Sequence, residues 1–203
     1  LEADGRDVFL GGNVRGVSTL AHLPESTEDE VAVLELDSWQ LQGFGEAGIS
    51  PEVAVFTTFL PDHQDYYPSM ERYLEDKSFI FRNQTADDVL VLGEAVADLV
   101  TETYGGEITA RVVVARGCDV PDDWAPLLPG EHNRRNIACA RAAARALGVG
   151  DETIRQAVER FAGVPGRLEY VAEYGGVHFY NDTTATTPDA TAAALRALSE
   201  HYD

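Results

Sequence analysis

Five short apolar runs set the terms for this chain. Residues 7–12 read DVFLGG, 31–36 VAVLEL, 53–59 VAVFTTF, 87–93 DDVLVLG and 110–116 ARVVVAR. None alternates cleanly between apolar and polar residues, and helical stretches separate them. Strands buried on both faces and joined through helices belong to a parallel sheet. The expected fold class is α/β, a mostly parallel sheet flanked by helices.

The helices are clearest late in the chain. After LLPGEHN, Ile137, Ala140, Ala144 and Leu147 recur at three-and-four spacing, and Gly148 sits where a C′ glycine belongs. Asp151 is expected to cap a second helix carrying Ile154, Ala157, Val158 and Phe161. GVPGR (163–167) reads as a linker, so a boundary is placed near residue 165, giving domains 1–164 and 165–203. Beyond it, LEYVAEY and VHFYND read as two strands around Gly175-Gly176. Pro188 then opens a last helix with Thr191, Ala194, Leu195 and Leu198 facing inward. The chain opens close to a strand and closes straight after a helix, so it reads as part of a longer polypeptide.

Charge excludes several functions. The chain has 35 Asp and Glu against 15 Lys and Arg, a net charge of −20. That field repels nucleic acid and opposes an anionic membrane surface. No apolar stretch reaches the length of a membrane span. Cys118 and Cys139 lack metal-type spacing and are expected to be reduced core thiols in a cytoplasmic protein.

In open α/β sheets the ligand sits beyond the carboxyl ends of the strands. Three polar clusters fall there: Gly11-Gly12-Asn13, Glu35-Leu36-Asp37-Ser38 and Asp62-His63-Gln64-Asp65. If these strands are neighbours, Glu35 and His63 face one cavity, and a carboxylate with an imidazole suits Mg²⁺ or Mn²⁺. The plainer alternative makes Glu35 a helix cap and His63 a loop residue. Lys77, the chain's one lysine, lies in the helical pattern PSMERYLEDKSFIF, on the face of Met70, Tyr73 and Leu74. Desolvation there favours the neutral, nucleophilic amine; a stem covering the core is the alternative. Asn133 and Asn136 lie at a helix N-terminus, suited to a nucleotide or to simple capping. The loop NDTTATTP (181–188) offers Asp182 and several hydroxyls to a phosphate or carboxylate.

Taken in order, GGN, LELDSWQL, PDHQDYY, the lone lysine, LPGEHNRRN, GVPGRLEYV and YNDTTATTPDAT resemble the Mur ligases of peptidoglycan synthesis over almost the whole chain. The resemblance implies a central ATP-binding domain followed by the start of a Rossmann-like C-terminal domain. It implies ATP-dependent amide formation through an acyl phosphate. In the branch most resembled, UDP-N-acetylmuramoyl-L-alanine and D-glutamate are joined; a monomer is expected, although the sequence itself is silent on oligomeric state. It implies that Glu35 and His63 hold Mg²⁺, and that Lys77 is carbamylated and helps to place a second Mg²⁺. Asn13, Asp37 and Ser38 fall on the nucleotide-substrate side. Asn133 and Asn136 match residues at the adenine, and Arg167 and Asp182 match residues that contact ATP. Thr183, Thr184 and Thr186 match the loop at the D-glutamate.

The pattern departs from the family in places. Asp37 replaces the first serine of LELSSFQ, Thr184 replaces the lysine of NDSKATN, and Gly166 stands where histidine often precedes the arginine. No GxxxxGK[ST] loop occurs in these residues, so the chain by itself is expected not to turn over ATP. A related ligase for another amino acid, folylpolyglutamate synthase-like enzymes included, and a non-catalytic partner module are the alternatives.

Overall fold

The computed structural model describes every residue except 15, 17, 64 and 203, with the backbone alone at 200–202. All five expected strands form. β1 (Val8–Gly12) and β2 (Val31–Glu35) pair in parallel, with the short helix α1 (Thr19–His22) between them. β3 (Val53–Phe56), β4 (Val89–Gly93) and β5 (Arg111–Ala115) make a second parallel sheet in the order β3-β4-β5.

The expected single sheet is therefore two. No strand hydrogen bonds join β2 to β3 among the described residues. Helices make the link instead: α2 (Ser38–Ala47), after β2, packs on α3 (Met70–Ser78), after β3. Gly45 lies under the Phe79 ring, where a Cβ would come within 2.7 Å of ring carbons.

β4 explains why the apolar runs do not alternate. Leu90 and Leu92 face one core with Ala54, Phe56, Phe81 and the inner face of α4 (Glu94–Tyr104). Val89 and Val91 face another with Trp124, Val149, Ile154, and Ile137 and Cys139 of α5 (Glu131–Ala146). Each side chain of a period-two strand thus meets protein on its own face.

Several helix faces differ from the periodic reading. On α5 Ala140 is exposed and Ala138 is buried instead, because the half-buried Arg141 turns back over the Trp124 ring at 5.5 Å. Asp151 is the first residue of α6 (Asp151–Arg160), not its cap; Gly150 holds that position. The Asp151 carboxylate is taken by Arg141, at 3.1 and 2.9 Å. Ala157 and Phe161 are exposed, leaving Ile154 and Val158 to the core. Cys118 is exposed rather than buried, while Cys139 is buried and its thiol is pushed up to about 11 by burial.

β6 (Glu169–Tyr174) and β7 (Val177–Asn181) form the expected antiparallel hairpin, with Gly175 and Gly176 at φ 60° and 79° in its turn. Pro188 opens α7 (Pro188–Tyr202), but Thr191 and Leu195 face out. Ala194 and Ala197 are the buried pair, since Ala197 packs where a Cβ on Gly130 would come within 2.4 Å of it. No helix of the described residues is long and apolar enough to cross a membrane.

Leu90→Ala, at a fully buried site, is expected to cost about 2–5 kcal/mol in urea unfolding. Arg141 holds the Asp151 carboxyl below its ordinary range. The stability from that pair is therefore present above the ordinary carboxylate pKa and is lost as pH falls through the lowered value. Asp151→Asn should flatten the acid limb of stability against pH in that window, by a small amount because the carboxylate is half exposed.

Candidate active site

The first strand turn is fixed by backbone geometry. Gly12 has φ 85°, and a Cβ there would come within 2.1 Å of the Glu35 carbonyl oxygen. Only glycine permits that approach. The Asn13 N–H donates to the same carbonyl at 2.6 Å. Asn13 and Glu35 therefore stand together at the carboxyl end of the β1–β2 pair, both exposed.

Asp37, rather than Glu35, caps α2. Its Oδ1 accepts from the Gln40 N–H at 2.8 Å, and Gln40 Oε1 accepts from the Asp37 N–H at 3.1 Å. Ser38 follows and is buried. Trp39, in the first turn of α2, rests on His63, with ring centroids 4.7 Å apart.

His63 sits in a left-handed backbone conformation, φ 52°. Its N–H donates to Asp62 Oδ1 at 2.8 Å, and its Nε2 lies 3.6 Å from Asp62 Oδ2. Its ring also packs edge-on to Tyr73 of α3, at 5.8 Å. Gln64, quoted in the same cluster, lies outside the described residues.

Lys77 completes the group. Its Nζ stands 5.1 Å from the centre of the Tyr73 ring. Burial lowers its pKa, and the carboxylates of Asp37 and Asp62 partly restore it. The Tyr73 phenol is pushed up to about 12, first by burial and then by the charge of Asp62, with Tyr67 and Asp37 adding to it. The structure thus gathers Asp37, Asp62, His63, Tyr73 and Lys77 in one neighbourhood; of these the helical spacing had placed only Tyr73 with Lys77.

Glu35 stands apart from that group. Among the described residues no hydrogen bond or ion pair joins it to His63 or Lys77, and no cluster of three His, Cys, Asp or Glu side chains is poised for a metal. The available donors, carboxylate oxygens and one imidazole nitrogen, nonetheless suit Mg²⁺ or Mn²⁺. Mg²⁺ takes only one or two protein carboxylates and completes its shell with water and phosphate.

A second group forms where α5 begins. Gly130, at φ 92°, holds the N-cap position with no capping side chain. Asn133 therefore is not the cap; its Nδ2 donates to the Pro129 carbonyl at 2.8 Å. Asn136 is exposed one turn later. His132 is next to Asn133 in the first turn of α5: burial lowers its pKa and the charge of Asp182 raises it. Asp182 Oδ1 accepts from the Leu168 N–H at 3.0 Å, which places the exposed Arg167 beside it. The Thr184 hydroxyl donates to the Gly166 carbonyl at 2.7 Å, while Thr183 and Thr186 are exposed. The charge of Asp182 felt at His132 makes the start of α5 and the Asp182 loop neighbours.

Three of these residues were not legible as site members. Asp62 was quoted only as a neighbour of His63. Tyr73 was assigned to an apolar stripe, although its spacing four residues before Lys77 placed it under the ammonium. His132 carried no local signal, because its partner lies fifty residues away.

Parallel strands joined through helices, with a desolvated lysine, carboxylates and a histidine gathered beyond them, make a parallel α/β domain with a polar candidate site. The Mur ligase middle domain matches residues 12–117, and the chain belongs to the Mur ligase family. It is 41% identical to the UDP-N-acetylmuramoylalanine–D-glutamate ligase of Nitratidesulfovibrio vulgaris (strain DP4), over 98% of this chain and 44% of that protein. It is 37% identical to the ligase of the same name from Roseiflexus sp. (strain RS-1), over 96% of this chain and 48% of that protein. The chain spans about half the length of these curated relatives. Its fold matches the MurF ligase of Thermotoga maritima in complex with ADP, with a TM-score of 0.68 at 18% identity, over 96% of this chain and 51% of that one.

Asp62→Asn should lower the Lys77 pKa further, since one of the carboxylates sustaining it is lost; a lysine ε-¹³C NMR titration reads this directly. Gly12→Ala should cost at least ~1–2 kcal/mol for its left-handed backbone alone, read by denaturant unfolding.

Proposed function

We propose that this chain carries the site of an ATP-dependent amide ligase that joins D-glutamate to UDP-N-acetylmuramoyl-L-alanine in peptidoglycan synthesis, in the cytoplasm. The observation that carries the reading is Lys77, desolvated over Tyr73 and faced by Asp37 and Asp62 beside His63. The identity to two D-glutamate ligases supports the substrate pair. On this reading residues 1–164 are the central ATP-binding domain and 165–203 the beginning of the C-terminal ligase domain.

The roles follow from placement. His63 and Glu35 hold Mg²⁺ (or Mn²⁺), with Asp62 orienting the His63 ring. Lys77, whose lowered pKa favours the free amine, would add to CO₂ through its nitrogen, losing a proton to give a carbamate, and would so offer a carboxylate-like group to a second metal ion. The bound metal supplies charge neutralisation for the phosphates. Asn133 and Asn136 meet the adenine at the open start of α5. Arg167 and Asp182 face ATP from the linker side. Asn13 and Asp37 line the side of the nucleotide substrate, with Ser38, which is buried, supporting the start of α2 rather than touching substrate; Thr183, Thr184 and Thr186 line the side of D-glutamate. The substrate carboxylate takes the γ-phosphoryl group of ATP, releasing ADP, and the amine of D-glutamate then attacks the acyl phosphate, forming the amide and expelling inorganic phosphate and a proton.

Phosphate release by the full-length protein with ATP and UDP-N-acetylmuramoyl-L-alanine tests the reading. Release is expected with D-glutamate and not with L-lysine or meso-diaminopimelate. The opposite preference would move the protein to another branch of the family, and no release with any amino acid would favour a non-catalytic module. Lys77→Ala should slow ligation on the order of 10²-fold or more, the scale set by misplacing a reacting group, and added bicarbonate should not restore it.

A further inference from the structure

Next to Lys77 the helix carries a carboxylate with no part in the site described above. Asp76 is 6% exposed, yet among the described residues it makes no ion pair with Lys77. Successive helix positions point about 100° apart, so Asp76 turns away from the ammonium and toward α2. There it accepts a hydrogen bond from Gln42 Nε2 at 2.6 Å. Two further buried polar groups surround it. The Tyr67 hydroxyl and the Ser38 hydroxyl have no hydrogen-bond partner of good geometry among the described residues. Tyr67 nonetheless faces both Ser38 and Asp76. Burial pushes its phenol pKa up, the Ser38 hydroxyl pulls it down, and the Asp76 carboxylate pushes it up again.

We infer that Asp76 is a positioning residue for Lys77, clamping α3 to α2 through Gln42 so that the lysine is held over Tyr73 and opposite Asp37. The geometry is specific to that task. Ser38 directly follows Asp37 at the start of α2, Gln42 lies one turn further on, and Asp76 directly precedes Lys77. The buried polar contact therefore fixes the two backbone segments that carry the lysine and its facing carboxylate. The two segments also meet through Gly45 under Phe79 and, past the helix ends, through Ser50 Oγ donating to the Phe79 carbonyl at 2.9 Å and Asn83 Nδ2 donating to the Ile49 carbonyl at 3.3 Å; the Gln42–Asp76 bond is the side-chain hydrogen bond between the helices themselves, beside Lys77. A buried carboxylate is costly to retain unless it is hydrogen-bonded, and here its partner comes from the neighbouring helix. The functional meaning of the clamp rests on the ligase reading of Lys77; the clamp itself does not.

Lys77 is the one lysine of these 203 residues, so in the full-length protein grown with ε-¹³C-lysine its side-chain signal is identified as the one lost in Lys77→Arg. The Tyr73 ring beneath it should shift that signal upfield, and Tyr73→Leu should abolish the shift. Gln42→Leu and Asp76→Leu are each expected to lose the shift, and the double variant should lose no more than either alone. Asp76→Asn, whose side-chain oxygen can still accept from Gln42, should keep it. A shift left intact in folded Gln42→Leu overturns the inference, and that variant decides the matter even if Asp76→Leu does not fold. Because the signal is read without substrate, an inactive protein that still shows this pattern would sink the ligase reading and leave the clamp standing.

Discussion

The candidate site depends on how one ammonium group is held. In a chain of net charge −20, a lysine in solvent would be surrounded by diffuse, screened attraction. Lys77 is instead partly withdrawn from water and given two particular carboxylates. Burial lowers its pKa, while Asp37 and Asp62 keep part of its charge. That opposition leaves an amine whose protonation its neighbours control, which is the property a covalently modified or metal-positioning lysine requires. His63 packs edge-on against both Trp39 and Tyr73, and Tyr73 lies beneath the ammonium.

Two helices deliver the parts. Asp37 is placed by the capping box that starts α2, and Lys77 by the last turn of α3. Because β2 and β3 are not hydrogen-bonded to each other, the α2–α3 contact sets the distance between these two residues. This is an unusual burden for helix packing in an α/β protein, where sheet register commonly places the site. It accounts for a buried polar contact, Gln42 to Asp76, in the same interface.

Much of this was readable in the sequence, for identifiable reasons. The strands were legible because a strand buried on both faces leaves a continuous apolar run, as VLVL of β4 does. The lysine was legible because it fell on the face of Tyr73 and Leu74. Helix ends with glycine at positive φ or proline at N1 were legible at Gly148 and Pro188, where backbone sterics decide. Helix faces were less so. Ala140 and Leu195 fit a periodic stripe, but alanine carries little information about which side is buried. The cap at Asp37 was missed although Gln40 stood three residues on, since Glu35 competed for the same reading. Long-range encounters, His132 with Asp182 above all, leave no periodic trace. The separation of the two parallel sheets also left none, because apolar runs reveal burial and not pairing.

The central proposal is that a cation is held in the neighbourhood of His63 and Lys77, with Glu35 reaching it from the end of the β1–β2 pair. Titration of ε-¹³C-lysine-labelled protein with Mn²⁺ tests it most directly, because the ion broadens signals of nuclei close to it. The account predicts that the Lys77 signal and the His63 ring signals broaden together at the same Mn²⁺ concentration, and that Glu35→Gln shifts both to higher concentration. Broadening of only one of the two, or of neither, would contradict it.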